Sequence, residues 1–172
     1  MEVVEFGMLD PERRAQLEGD EEDPFDAALL SVDLCWRPKE RHVALSDDSG
    51  RLVASAGLVT AAVTIDGAAP LEIVGLGGVL VNRELRGRGF ANRIVSEALR
   101  LAATLGPQLI LLFCHPDRAG LYRRHGFAEI VDPVFVEQPG GWTLMPMVSM
   151  WRELSDGAQL PPGEIRLDGY PF

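Results

Sequence analysis

Val79-Leu80-Val81-Asn82-Arg83-Glu84-Leu85-Arg86-Gly87-Arg88-Gly89-Phe90-Ala91-Asn92 carries the end of an apolar strand into the start of a helix through a loop of alternating arginine and glycine. The residues that follow establish the helix. Ala91, Ile94, Val95, Ala98, Leu101, Ala102 and Leu105 recur at 3.6-residue spacing, the apolar stripe of an amphipathic helix. In the first turn of a helix the N–H groups lack intrahelical partners, and the aligned peptide dipoles add a partial positive charge. Gly87 and Gly89 keep side chains out of the way of that turn, Ala91 keeps it small, and Arg86 and Arg88 add cationic charge. The combination suits a pyrophosphate. The plainer alternative is a turn that uses glycine only for its backbone angles; the interleaved arginines and the strong helical period favour the phosphate. The P-loop motif fails on residue identity because no Lys follows these glycines, and the dinucleotide fingerprint because Gly87-Arg88-Gly89-Phe90-Ala91-Asn92 ends in Asn.

Upstream, Leu71–Asn82 reads as a long strand containing Gly75, Gly77 and Gly78, and glycine inside a strand marks a bulge or the close approach of another backbone or a ligand. His42–Ser46 and Leu52–Ile65 flank Asp47-Asp48-Ser49-Gly50 as a hairpin, and Glu2–Phe6 reads as a further strand. Asp10 to Asp26 sets eight acidic residues against Arg13 and Arg14, the pattern of a solvated face or mobile loop. Asp26 to Trp36 reads as a short helix stopped before Pro38. Downstream, Gly106-Pro107 ends the main helix, and Gln108–Cys114 is an unbroken apolar run, the mark of a strand buried on both faces. Pro116 opens a helix to about His125 that Gly126 closes. Phe127–Val136 and Trp142–Trp151 read as two strands, and Glu164–Leu167 as one more. Antiparallel strands followed by a β–α–β–α–β stretch predict an α+β domain over 1–155, with a mixed, mostly antiparallel sheet and helices on both faces, and a tail over 156–172.

The 172 residues are 47% hydrophobic, enough for one packed core, and no apolar run reaches the ~20 residues of a membrane-spanning helix. No basic-then-apolar secretory signal is visible at the start, so a cytoplasmic, soluble protein is expected. Sixteen Lys+Arg against 26 Asp+Glu give a net charge of −10, which disfavours nucleic acid and suits a cationic partner, with simple solubility as an equal explanation. Cys35 and Cys114 stand alone without metal-ligand spacing, so both are expected as buried small residues, with neither a disulfide nor a metal.

Arg86-Gly87-Arg88-Gly89-Phe90-Ala91 resembles the R/Q-x-x-G-x-G/A signature of the GNAT superfamily of acyl-CoA-dependent N-acyltransferases. About 30 residues on, Leu121-Tyr122-Arg123-Arg124-His125-Gly126-Phe127 is similar to that family's LYxxxGF helix end. The resemblance implies acetyl-CoA as cosubstrate. It implies that main-chain groups of Val79, Leu80 and Val81 pair with the pantetheine arm, and that backbone N–H groups from Gly87 to Asn92 hold the pyrophosphate. His115 falls where many members have a cofactor-contacting Asn; helix capping is its alternative role. Tyr122 matches the residue that protonates the departing thiolate, against plain packing on the sheet.

An N-acetyltransferase acting on a primary amine, of a small cationic molecule before a protein N-terminus or lysine, is therefore expected, as a possible homodimer. The rivals are a non-catalytic CoA-binding or regulatory domain and a dinucleotide oxidoreductase. The general base stays open among Glu72, Asp33, His42 and a water relay, since Gly77 and Ile110 stand where some relatives carry a Glu. Aminoglycoside 2′-N-acetyltransferases, similar in the helix segment, suggest a further candidate in a Phe172 carboxylate. Trp36, Trp142, Met145 and Met147 either wall an acceptor pocket or, more simply, pack.

Overall fold

The computed structural model describes residues 1–18 and 33–172. Within them the strands are β1 (Glu2–Phe6), β2 (Arg41–Ser46), β3 (Leu52–Ile65), β4 (Leu71–Val81), β5 (Leu109–Cys114), β6 (Ala128–Glu129), β7 (Val134–Gln138), β8 (Gly141–Leu144), β9 (Val148–Glu153) and β10 (Ile165–Leu167). The helices are α1 (Pro11–Glu18), α2 (Phe90–Ala102) and α3 (Ala119–Arg123). The sheet runs β6-β9-β5-β4-β3-β10-β7-β8, and β2, carrying β1 on its far side, pairs with the first half of β3. Among the described residues only β4–β5 and β10–β7 are parallel pairs. The architecture is the mixed, mostly antiparallel α+β sheet that the sequence predicts.

The two long helices cover opposite faces. Ile94, Val95, Ala98, Leu99, Leu101 and Ala102 of α2 are buried against Val43 and Leu45 of β2, Leu58 of β3, Val74 and Leu76 of β4, and Ile110 and Leu112 of β5. Side chains alternate along a strand, so the intervening Ala44 belongs to the other face, where it meets Leu17 of α1 and Leu80. On that second face, farther along the sheet, Val59, Ile73, Leu111 and Phe113 pack with Val136, Ile165, Leu167 and Phe172. All six β5 side chains are buried, as an apolar run covered on both faces requires.

Several elements differ from expectation. The segments read as single strands over 127–136 and 142–151 are each broken in two. Proline donates no ladder hydrogen bond, and Pro133 and Pro146 stand at the breaks. The chain thereby passes from β6, beside β9, to the β7–β8 hairpin across the sheet. α2 stops at Ala102, because Thr104 and Leu105 turn back to the carbonyls of Leu101 and Ala102. Pro116–Arg118 is a 3-10 turn leading into α3 rather than the start of one continuous α-helix. Part of the acidic stretch is a helix, α1, held down by the fully buried Leu17. Of the helix expected over 26–36, residues 26–32 lie outside the described residues and 33–36 are not helical. Cys35, in this irregular segment, is exposed rather than buried; Cys114 is buried as expected. No helix among the described residues is long and apolar enough to cross a membrane.

Candidate functional site

The site begins with a defect in the sheet. Ser55 pairs with Leu80 and Gly57 with Gly77, so β4 carries one residue more than β3 between these points. The extra residue is absorbed at Gly78, whose φ of +58° suits glycine, and the result is a bulge. On its other side β4 pairs with β5 only through Val74, Gly75 and Leu76. Beyond Leu76 and Leu112 the two strands continue, to Val81 and Cys114, without pairing to each other. Among the described residues, the backbone edge of β4 from Gly77 through Val79 and Leu80 is therefore unpaired on the β5 side, and at Val81 the carbonyl is met by a side chain of the following loop. Such an edge accepts an extended amide-bearing chain.

The opening leads to the start of α2. Asn82 caps a 3-10 turn over Arg83–Leu85 by accepting from the Glu84 N–H at 3.1 Å, and its Nδ2 donates to the Gln16 carbonyl at 2.7 Å, tying the loop to α1. Gly87 and Gly89 have φ of +75° and +84°, and a Cβ on either meets no atom within 4 Å. Gly89, which has no side chain to cap with, is the cap residue of α2, and among the described residues no side chain accepts from the helix's first N–H groups. The first turn, Phe90, Ala91 and Asn92 with Arg93, holds no acidic residue. Arg86 and Arg88 are exposed beside it, and the Arg86 Nε donates to the Val81 carbonyl at 3.3 Å. The turn is uncapped, cationic and sterically open.

Tyr122 approaches from the α2 face. It is buried, edge-on to Phe127 with ring centroids 5.9 Å apart, and shares a cluster with Cys114 at the tip of β5. Burial first, and then the Cys114 thiol, push its phenol well above the ordinary range, so it keeps its proton. Burial also raises the Cys114 thiol, to about 11. His115 is exposed at the head of the 3-10 turn, its Nδ1 2.8 Å from Asp117 Oδ1; it makes no capping hydrogen bond with its side chain.

On the opposite face three positions line up across the sheet: His42 of β2 pairs with Gly57 of β3, and Gly57 with Gly77 of β4. The missing side chains leave a trench that Lys39 and Phe172 fill. A Cβ on Gly57 would stand 2.7 Å from Lys39 Cβ and 3.0 Å from His42 Nε2, and one on Gly77 would stand 2.9 Å from Lys39 Cε. A Cβ on Gly75 would meet the Phe172 ring at 2.5 Å, and that ring packs on Phe113 at 5.2 Å between centroids. The Arg37 N–H donates to the Pro171 carbonyl at 2.8 Å, holding the segment after residue 33 against the tail. His42 Nδ1 lies 2.6 Å from the Gly7 carbonyl, which only accepts; the proton sits on Nδ1 and Nε2 faces Gly57 with a lone pair. Burial lowers the His42 imidazole, so it is neutral at pH 7.

Of the proposed bases, the structure brings His42 to the trench. Glu72 is exposed at the start of β4 and, by strand alternation, on the face away from Gly75 and Gly77; Asp33 is exposed. The Phe172 main chain does reach Gly77, its carbonyl oxygen 2.9 Å from the place of a Cβ. Trp142 is exposed on β8, whereas Met145 is buried in the core. Sequence reasoning missed Lys39, although it is the chain's single lysine and stands three residues before His42. Open hollows lie elsewhere: one of about 530 Å³ is bounded by Arg124, His125 and Arg152, and one of about 310 Å³ touches this site only at His42.

Comparison with known proteins agrees with this fold. The fold is similar to a GNAT family N-acetyltransferase from Escherichia coli in complex with CoA (18% identity, 96% of this chain and 89% of that one, TM-score 0.59). It is also similar to a GNAT family acetyltransferase from Brucella melitensis in complex with acetyl-CoA (18%, 95% and 94%, TM-score 0.54). An aminoglycoside 6′-N-acetyltransferase complexed with coenzyme A is a third likeness (16%, 92% and 100%, TM-score 0.56). At these identities the likeness is one of fold. No curated protein sequence matches the chain. The acetyltransferase (GNAT) domain profile matches residues 26–130, a span that takes in the bulge, the Arg-Gly loop and Tyr122. The chain belongs to the GNAT acetyltransferase family.

Proposed function

We propose that this protein transfers an acetyl group from acetyl-CoA to the primary amine of a small molecule. The observation that carries the reading is the parting of β4 and β5 beyond Leu76 and Leu112, which opens from the bulge at Gly78 toward the uncapped start of α2. In this reading the amides of the pantetheine arm pair with Val79, Leu80 and Val81 as an added strand. The N–H groups from Gly87 to Asn92 take the pyrophosphate, with Arg86 and Arg88 supplying charge, and His115 adds a polar contact. Structures of similar fold hold CoA or acetyl-CoA, which supports the choice of cosubstrate.

Holding amine and thioester together supplies much of the rate. Attack forms a tetrahedral oxyanion, which N–H groups of the open β4 edge stabilise. Tyr122, kept protonated by burial, donates to the departing thiolate. The amine must be neutral to attack; His42, neutral and with its Nε2 lone pair turned toward the trench, is the side chain best placed to receive its proton through water. The net charge of −10 favours a cationic amine, and an aminoglycoside acetyltransferase is among the similar folds. The test is thiol release from acetyl-CoA over a panel of aminoglycosides, polyamines and peptides. Release with one class identifies the acceptor. Tight CoA binding with no release from any amine replaces this reading with a binding domain, and no CoA binding removes it.

A further inference from the structure

Lys39 is the chain's single lysine, and it enters the trench from the irregular segment before β2. Its stem crosses Gly57 and its Cε reaches Gly77, the first β4 residue beyond the last β4–β5 pair. Gly77 and Gly57 leave room for that stem; alanine at either would collide with it. The Lys39 ammonium makes no hydrogen bond or ion pair among the described residues. Lys39 is half-buried, and a cation partly withdrawn from water without a partner is disfavoured relative to the free amine. We propose that Lys39 is itself an acyl acceptor, its side-chain amine taking an acetyl group from the thioester held where β4 and β5 part. This rests on the acetyl-CoA reading above and adds a modification site to it.

The step balances with the groups at hand. The neutral Nζ attacks the thioester carbonyl carbon, an N–C bond forms and the C–S bond breaks. The nitrogen then loses a proton to solvent, and CoA leaves as a thiolate that takes one up. The products are an acetyl-lysine amide and CoA-SH. Burial, reinforced by the Arg14 charge on α1, lowers the Lys39 amine to about 8, so a large fraction is nucleophilic in mildly alkaline solution. Among the described residues, the groups facing it are Arg14 from α1, the neutral His42 from β2 and the carboxyl group of Phe172, whose negative charge favours the ammonium and opposes the other two; β3 and β4 present only glycine. The product amide carries no charge.

The intact chain, incubated with acetyl-CoA alone, provides the test. Acetylation is followed by mass spectrometry with peptide mapping, which separates Lys39 from the amino terminus, and CoA binding is measured in parallel by calorimetry. One acetyl group is expected on Lys39, added at least ~10-fold faster than in the urea-unfolded chain, where no thioester is positioned. The rate should rise roughly 20-fold between about pH 6.5 and about pH 8.5, following the neutral amine. Lys39→Arg should bind CoA and take no acetyl group in the trench. If CoA binds while Lys39 stays unmodified, or is modified no faster than in the unfolded chain, the proposal fails and the acetyltransferase reading stands. If CoA does not bind, both fail.

Discussion

Replacing Gly89 with alanine separates what the fold asks of this glycine from what a ligand asks of it. Gly89 holds φ +84° at the start of α2, and a Cβ there meets nothing within 4 Å. In the free protein the cost is therefore confined to the backbone, about 1–2 kcal/mol for an L-residue in the left-handed region. For a domain of this size each kcal/mol lowers Tm by roughly 2–4 °C. Gly106, φ +105° after α2 and equally free of neighbours, provides a control that carries a backbone cost of the same kind and touches no proposed ligand. Only the Gly89→Ala methyl stands over the N–H groups that would hold a pyrophosphate. Losing one or two charge-assisted hydrogen bonds, each about 1.5–3 kcal/mol, predicts a rise in Kd for CoA of about 100-fold. Calorimetric titration with CoA and thermal melting of both variants measure the two effects. A Gly89→Ala protein that melts with Gly106→Ala yet binds CoA as the unaltered chain does would show that the pyrophosphate does not lie on this turn.

Tyr122→Phe should lower kcat by about 100-fold while leaving CoA affinity within about twofold, because only the proton donor is lost; equal losses in rate and affinity would make Tyr122 a packing residue. Phe172→Ala removes a ring that is 2% exposed and packed on Phe113, and should cost about 3–5 kcal/mol in urea unfolding; a loss below about 1 kcal/mol would mean that the tail does not close this core. Burial holds His42 and His125 below their usual value of 6.5, so from that pH downward the unfolded chain binds more protons and stability falls as pH drops. His42→Gln should therefore shrink the loss of Tm between about pH 7.5 and about pH 5.5; an unchanged loss would mean that His42 takes up its proton freely in the folded chain.

The elements most legible in the sequence are those set by near neighbours. The α2 stripe from Ile94 to Ala102 needs only a 3.6-residue period to declare itself, and the unbroken run from Leu109 to Cys114 needs only its own composition. The hairpin around Asp47-Asp48-Ser49-Gly50 is carried by its turn residues. The breaks at Pro133 and Pro146 were visible as prolines, yet the apolar residues on either side read as continuous strands. Whether such a run continues or crosses to another part of the sheet depends on which edge is free, and no local pattern records that. In the acidic stretch Glu12, Arg13 and Arg14 of α1 form the solvated face that the charges predict, while the buried Leu17 that helps to hold the helix on the sheet is a contact no local pattern records.

The Arg-Gly loop, the strand before it and the helix after it follow from the chain read alone, because glycine tolerance, helix period and charge are local properties; Tyr122 is reached only through the family resemblance of its segment. Strand register belongs to the tertiary structure. It sets His42, Gly57 and Gly77 in one row, ends the β4–β5 pairing at Leu76, and brings Lys39 and Phe172, from distant parts of the chain, over the same glycines. A shift of one residue in any of these pairings would turn alternate side chains to the other face and dissolve the row, since neighbours along a strand point in opposite directions.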